Sequence, residues 1–194
     1  SLSLNLTATL DKSQSHYVSK VMRIKENEVF SLFNSSGEWE AKIISISKSI
    51  VEFNVKKQLR QKENTKELWL AFSPIKSNYF NFMIQKATEL GVTKFLPIIF
   101  DRTIVRKINK KRLEKVIIEA AEQSNRINVP DIEQPQTLEN FLKNDMDLIF
   151  TDLNASNNKI DLEKMTENPT CVIIGPEGDF SEEEREKILK FNGV

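Results

Sequence analysis

The stretch Ile173-Ile174-Gly175-Pro176-Glu177-Gly178-Asp179-Phe180-Ser181 combines three features that could do chemistry together. An apolar run ends, a bend rich in glycine and proline follows, and Ser181 with Glu184 three residues on signals a helix start. Ligands of open α/β sheets bind where strands end. Glycine lets a backbone approach a ligand closely, and Pro176 stiffens the bend. A phosphate loop is a poor reading, because no Lys-Ser/Thr pair follows the glycines and Glu182, Glu183 and Glu184 crowd the helix start. These carboxylates favour a neutral or cationic ligand held through backbone groups, and a sulfonium suits them. A plain structural turn is the alternative that the isolated motif leaves open.

Other reactive residue types are scarce. The chain has one cysteine and one histidine, which excludes an internal disulfide, a multi-cysteine zinc site and a His–His acid/base pair. Cys171 lies in the apolar run Thr170–Ile174 and reads as a buried, inert thiol. No metal is expected. No apolar run approaches the roughly 18 residues that span a bilayer, and Ser1–Leu4 shows no secretion signal, so no membrane partner and a cytoplasmic location are expected.

The elements that must position the bend fall into two styles. Leu4–Leu10 alternates apolar and polar residues as a half-buried strand does. Gln14–Met22 reads as a short helix, and Val29–Phe33, Trp39–Ser47 and Ile50–Val55 read as strands, the first two joined by the turn cluster Asn34-Ser35-Ser36-Gly37. This first part is expected to be a small β-barrel-like module, with polar Lys56–Lys66 as a linker. From Glu67, strands and helices alternate. Leu68–Phe72, Phe95–Ile99, Leu148–Thr151 and Cys171–Ile174 suit buried strands, and Pro97 predicts an edge or strand end. Asn78–Leu90 places Tyr79, Phe82, Met83, Ala87 and Leu90 on one helical face, with Gly91 as the stop. Lys110–Asn125 is a second amphipathic helix, carrying Leu113, Val116, Ile117, Ala120, Ala121 and Ser124 at three- and four-residue spacing. The expected class is α/β with a mainly parallel sheet, in domains 1–66 and 67–194.

Net charge is zero but unevenly spread: residues 73–126 hold 11 Lys and Arg against 5 Asp and Glu, whereas residues 127–194 hold 6 against 15. A basic middle beside an acidic end steers a polyanion to one face, although solubilising charge gives the same count. Glu119, Gln123 and Arg126 share one face of the second helix, and Glu89 reads as a helix-end carboxylate bonded to its neighbours.

The bend is the last of five ordered motifs that follow an amino-terminal stretch. Before it come His16-Tyr17-Val18-Ser19-Lys20-Val21-Met22-Arg23, Phe72-Ser73-Pro74-Ile75-Lys76 leading to Gln85-Lys86-Ala87-Thr88-Glu89-Leu90-Gly91-Val92, then Asp101-Arg102-Thr103, and Glu119–Arg126. In this order and spacing the set resembles the RsmE family of 16S ribosomal RNA uridine-N3 methyltransferases, across essentially the whole chain. The resemblance implies a PUA-like RNA-binding module followed by a SPOUT methyltransferase domain with a C-terminal trefoil knot, acting as a homodimer. It implies S-adenosylmethionine as cofactor, lined by Ile174, Gly175, Pro176, Glu177 and Gly178, with Phe150 and Thr151 from the neighbouring strand end. Its substrate would be 16S rRNA or the small ribosomal subunit, approached by His16, Arg23, Lys76, Lys86, Arg102 and Arg126.

Two departures stand out. Asp179 occupies a position where the family usually has glycine, and aspartate tolerates left-handed backbone better than most residues. The family also continues past the last helix into a segment expected to complete the knot, close the pocket and supply an arginine that handles the uridine. The catalytic residue is therefore left unassigned, and residues 1–194 alone are not expected to make a complete enzyme. The alternatives are a non-catalytic RNA-binding protein of ribosome assembly and a SPOUT methyltransferase with another RNA target.

Overall fold

In a computed structural model of the protein, residues 2–34, 36–62, 66–153 and 165–191 are described. The chain divides into two compact units, Ser1–Asn64 and Thr65–Val194.

The first unit is an antiparallel sheet in the order β1-β4-β3-β2, built from β1 (Thr7–Thr9), β2 (Val29–Asn34), β3 (Gly37–Ser47) and β4 (Ile50–Gln61). Period-two alternation buries Ala41 and Ile43 of β3 and Val51, Phe53 and Val55 of β4 on one face, where Leu10, Val18 and Phe30 join them. Helix α1 (Lys12–His16) starts on an Asp11–Gln14 capping box and passes into a wider π-type turn over Tyr17–Val21. Two expectations change. The first strand is only three residues long. The expected linker from Lys56 is largely strand, because β4 continues to Gln61 paired with β3, helped by ion pairs Lys57–Glu40 and Arg60–Glu38.

The second unit holds a parallel sheet in the order β7-β6-β5-β10-β9, formed by β5 (Leu68–Phe72), β6 (Lys94–Ile99), β7 (Asp131–Ile132), β9 (Asp147–Phe150) and β10 (Thr170–Ile174). The short strand β8 (Gln136–Thr137) also pairs with β6. The near-continuous apolar strands Leu68–Phe72, Phe95–Ile99 and Cys171–Ile174 are what a sheet covered on both faces requires. One face packs Leu70, Phe72 and Phe95 against α2 (Ser77–Glu89) and α3 (Lys110–Gln123); the other packs Trp69, Ala71, Leu96, Ile98 and Cys171 against α4 (Leu138–Phe141) and α5 (Glu182–Lys190). Burial pushes the Cys171 thiol up to about 12, so it is inert as expected.

Pro97 does not mark an edge, since β6 lies inside the sheet. Phe95 offers its carbonyl to Glu133 on the β7 side, and Pro97, two residues on, faces the same way. Its missing N–H falls between the β7 pairing at Lys94–Phe95 and the β8 pairing at Ile98–Ile99. The inward face of α2 also differs: Phe80, Ile84 and Ala87 are buried, whereas Tyr79, Phe82 and Leu90 are 76%, 61% and 81% exposed. The expected trefoil knot turns on the chain path around β10, and residues 154–164 and 192–194 lie outside the described set.

Candidate cofactor site

Because the strands of the second unit run parallel, their carboxyl ends share one edge. The ladders extend past the strands there: Ser73 N–H donates to Ile174 O at 3.3 Å, and Thr151 donates to Ile173 O from both its N–H (3.3 Å) and its hydroxyl (2.7 Å). The edge thus brings Phe150, Thr151 and Ile174–Gly178 together. Ile174 is 42% exposed, Thr151, Glu177 and Gly178 are exposed, and Pro176 is buried.

The bend is a tight turn closed by Asp179 N–H on Pro176 O at 2.9 Å. Asp179 takes the left-handed conformation (φ 63°), and its carboxylate accepts the Phe180 N–H at 2.8 Å. Ser181 then caps α5: its hydroxyl accepts from Glu184 N–H, and Glu184 accepts the Ser181 N–H at 2.9 Å. The phenyl ring of Phe180 forms the floor, edge-on to Phe100 and Phe150 with centroids 5.1 Å away in each case. A Cβ on Gly175 would sit 2.7 Å from this wedged ring, so glycine here is a requirement of space.

The loop after β6 braces the bend. Arg102 Nη1 donates to Gly178 O at 2.6 Å, and its stem runs along Gly178. Asp101 accepts the Ser181 hydroxyl at 2.7 Å, while its own N–H donates to Glu184 at 2.7 Å. Thr103 Oγ1 accepts the Phe100 N–H and shares a buried hydrogen bond of 2.9 Å with Ser73 Oγ. On the other side, Arg185 of α5 pairs with Asp152, just past β9. Asp101, Ser73, Thr103, Asp152 and Arg185 had no assigned role in the sequence. The Asp-Arg-Thr and Phe-Ser-Pro motifs marked three of them, but the two residues of the pair are 33 apart and carried no local signal.

The residues expected at RNA divide. His16 and Arg23 are exposed in the first unit, and Arg23 has φ 58°. Lys76 is exposed at the start of α2. Lys86 is exposed beside the Phe82 ring and bonds Glu89 at 2.8 Å, which together with the Gln85 hydrogen bond holds that carboxyl below its ordinary range against the upward push of desolvation. Arg102 lies on the bend. Arg126 is half-buried and donates to the carbonyls of Thr88, Val92 (2.9 Å) and Gly91 (3.4 Å), so its guanidinium caps the carboxyl end of α2.

A small antiparallel module stands ahead of a parallel α/β domain with a braced Gly-Pro bend at the sheet's carboxyl edge, and models of RNA methyltransferase domains match both parts. The family model described as "RNA methyltransferase domain" matches residues 62–194, and that described as "RNA methyltransferase PUA domain" matches residues 10–56. Ribosomal RNA small subunit methyltransferase E of Rickettsia conorii is 35% identical, covering 92% of this chain and 75% of the relative. Its counterpart in Buchnera aphidicola of Acyrthosiphon pisum is 34% identical, covering 100% and 80%. The crystal structure of the Neisseria gonorrhoeae protein of that name, bound to S-adenosyl methionine, superposes with a TM-score of 0.89 at 25% identity, covering 100% of this chain and 83% of that one. The chain belongs to the RsmE family of ribosomal RNA small subunit methyltransferases.

Proposed function

We propose that the protein transfers the methyl group of S-adenosylmethionine to N3 of a uridine in 16S rRNA, working as a homodimer. The observation that carries this reading is the open, braced bend at Gly175–Gly178, in a chain whose relatives include a protein crystallised with that cofactor. The cofactor supplies an electrophilic methyl. The bend offers backbone groups of exposed Glu177 and Gly178, a strand-end apolar surface at Ile174, and a carboxylate-rich surround that suits a positive ligand. Phe180, locked between two rings, keeps the bend from collapsing inward, so the ligand meets a preformed surface.

The substrate is held by charge and position. His16 and Arg23 of the first unit, with Lys76, Lys86 and the exposed Lys111 and Arg112 of the second, supply phosphate contacts. The exposed side chains of Tyr79, Phe82 and Leu90 are what an interface between two copies would cover. Loss of the N3 proton needs a base or a charge-stabilising group, and we assign that role to none of the described residues.

Mass spectrometry of small-subunit rRNA from a strain lacking the gene tests the reading. Loss of one N3-methyluridine, restored by the gene, is expected; an unaltered N3-methyluridine signal rejects it.

A further inference from the structure

We propose that Arg102 is a positioning residue for cofactor binding and not a phosphate contact. This rests on the reading that the methyl donor sits on the Gly175–Gly178 bend. The Gly178–Asp179 peptide is held from both ends. Its N–H belongs to Asp179 and donates to Pro176 O at 2.9 Å, while its C=O belongs to Gly178 and accepts from Arg102 Nη1 at 2.6 Å. A peptide between a glycine and a residue already in the left-handed region is among the easiest to flip, because glycine raises little steric barrier on its side. The charged donor opposes that flip.

The geometry around Arg102 is arranged for this task. Its Cβ and Cδ both lie 3.5 Å from where a Gly178 Cβ would stand, so the stem of this exposed side chain lies along the turn. Its neighbours are fixed to the same structure: Asp101 to the first turn of α5 through Ser181 and Glu184, and Thr103 to the end of β5 through Ser73. Three consecutive residues after β6 therefore set the apex of the bend, the helix behind it and the strand beside it. Losing the guanidinium leaves the fold intact but lets the apex sample flipped states, and cofactor affinity falls by the fraction of time the apex is wrong.

The test measures two affinities on Arg102→Ala, Arg102→Lys and Arg102→Gln. S-adenosylmethionine is titrated by calorimetry, and a small-subunit rRNA fragment is bound over a series of salt concentrations. Positioning predicts that Arg102→Ala weakens cofactor binding by about ten- to hundredfold, the scale of one charge-assisted hydrogen bond. RNA affinity and its salt slope stay at wild-type values. Lys and Gln, which can each still donate to one carbonyl, recover most of the cofactor affinity. If Arg102→Ala fails to fold, Arg102→Gln alone decides, since it keeps a donor and removes the charge. Unchanged cofactor affinity in Arg102→Ala, or a shallower salt slope in Arg102→Gln, overturns the proposal. A folded wild-type protein that binds no cofactor rejects the underlying site, a result distinct from either.

Discussion

Asp179 shows how much one residue decides at the bend. It holds φ 63° where glycine is free and most residues are strained, and it offsets part of that strain by accepting the Phe180 N–H at 2.8 Å. Asp179→Gly should therefore leave stability within about 0.5 kcal/mol of wild type, trading the hydrogen bond for relief of strain. Asp179→Ala keeps the strain and loses the bond, and should destabilise by about 1–2 kcal/mol in urea unfolding. Equal losses in both variants would mean that left-handed strain is not what distinguishes them. The tolerance of aspartate for this turn was legible in the sequence. The bond from Arg102 to the Gly178 carbonyl was not, because its partner lies 76 residues away and leaves no local signal. The partners of Arg126, the carbonyls at the end of another helix, were equally invisible in the sequence.

Among the elements, the buried strands and the Ser181 cap were readable because their signals are local: a short apolar run, or a hydroxyl three residues before a carboxylate. The inward face of α2 was not. Tyr79, Phe80, Phe82, Met83, Ile84, Ala87 and Leu90 leave apolar residues on most sides, so periodicity admits more than one face and packing on β5 and β6 selects Phe80, Ile84 and Ala87. Likewise Pro97 reads as an edge signal until the gap between β7 and β8 is known. Helix α3 carries its own conflict. Its first turn holds Lys110, Lys111 and Arg112 with no acidic residue, where the helix dipole disfavours cations. Such placement is explained if RNA phosphate is the counter-charge. Lys111→Glu should raise stability by about 0.5 kcal/mol in thermal unfolding while weakening binding of small-subunit rRNA and flattening its salt dependence. A gain in stability with unchanged RNA affinity would remove this turn from the RNA surface.

At the scale of the molecule, the chain holds an antiparallel module, Ser1–Asn64, and a parallel α/β unit, Thr65–Val194, and its hydrophobic period changes near Glu67. The charge is divided too, with the basic surplus in residues 73–126 and the acidic one in residues 127–194, where the bend lies. The central claim is that the Gly-Pro bend is the cofactor cradle, and Gly175 tests it most directly. Its Cβ would meet the Phe180 ring, which Phe100 and Phe150 hold in place, so Gly175→Ala must displace either the floor or the bend. Calorimetric titration of S-adenosylmethionine should show one saturable site per wild-type chain and at least about tenfold weaker binding by folded Gly175→Ala. Equal affinity in the two proteins would place the methyl donor elsewhere and contradict the account.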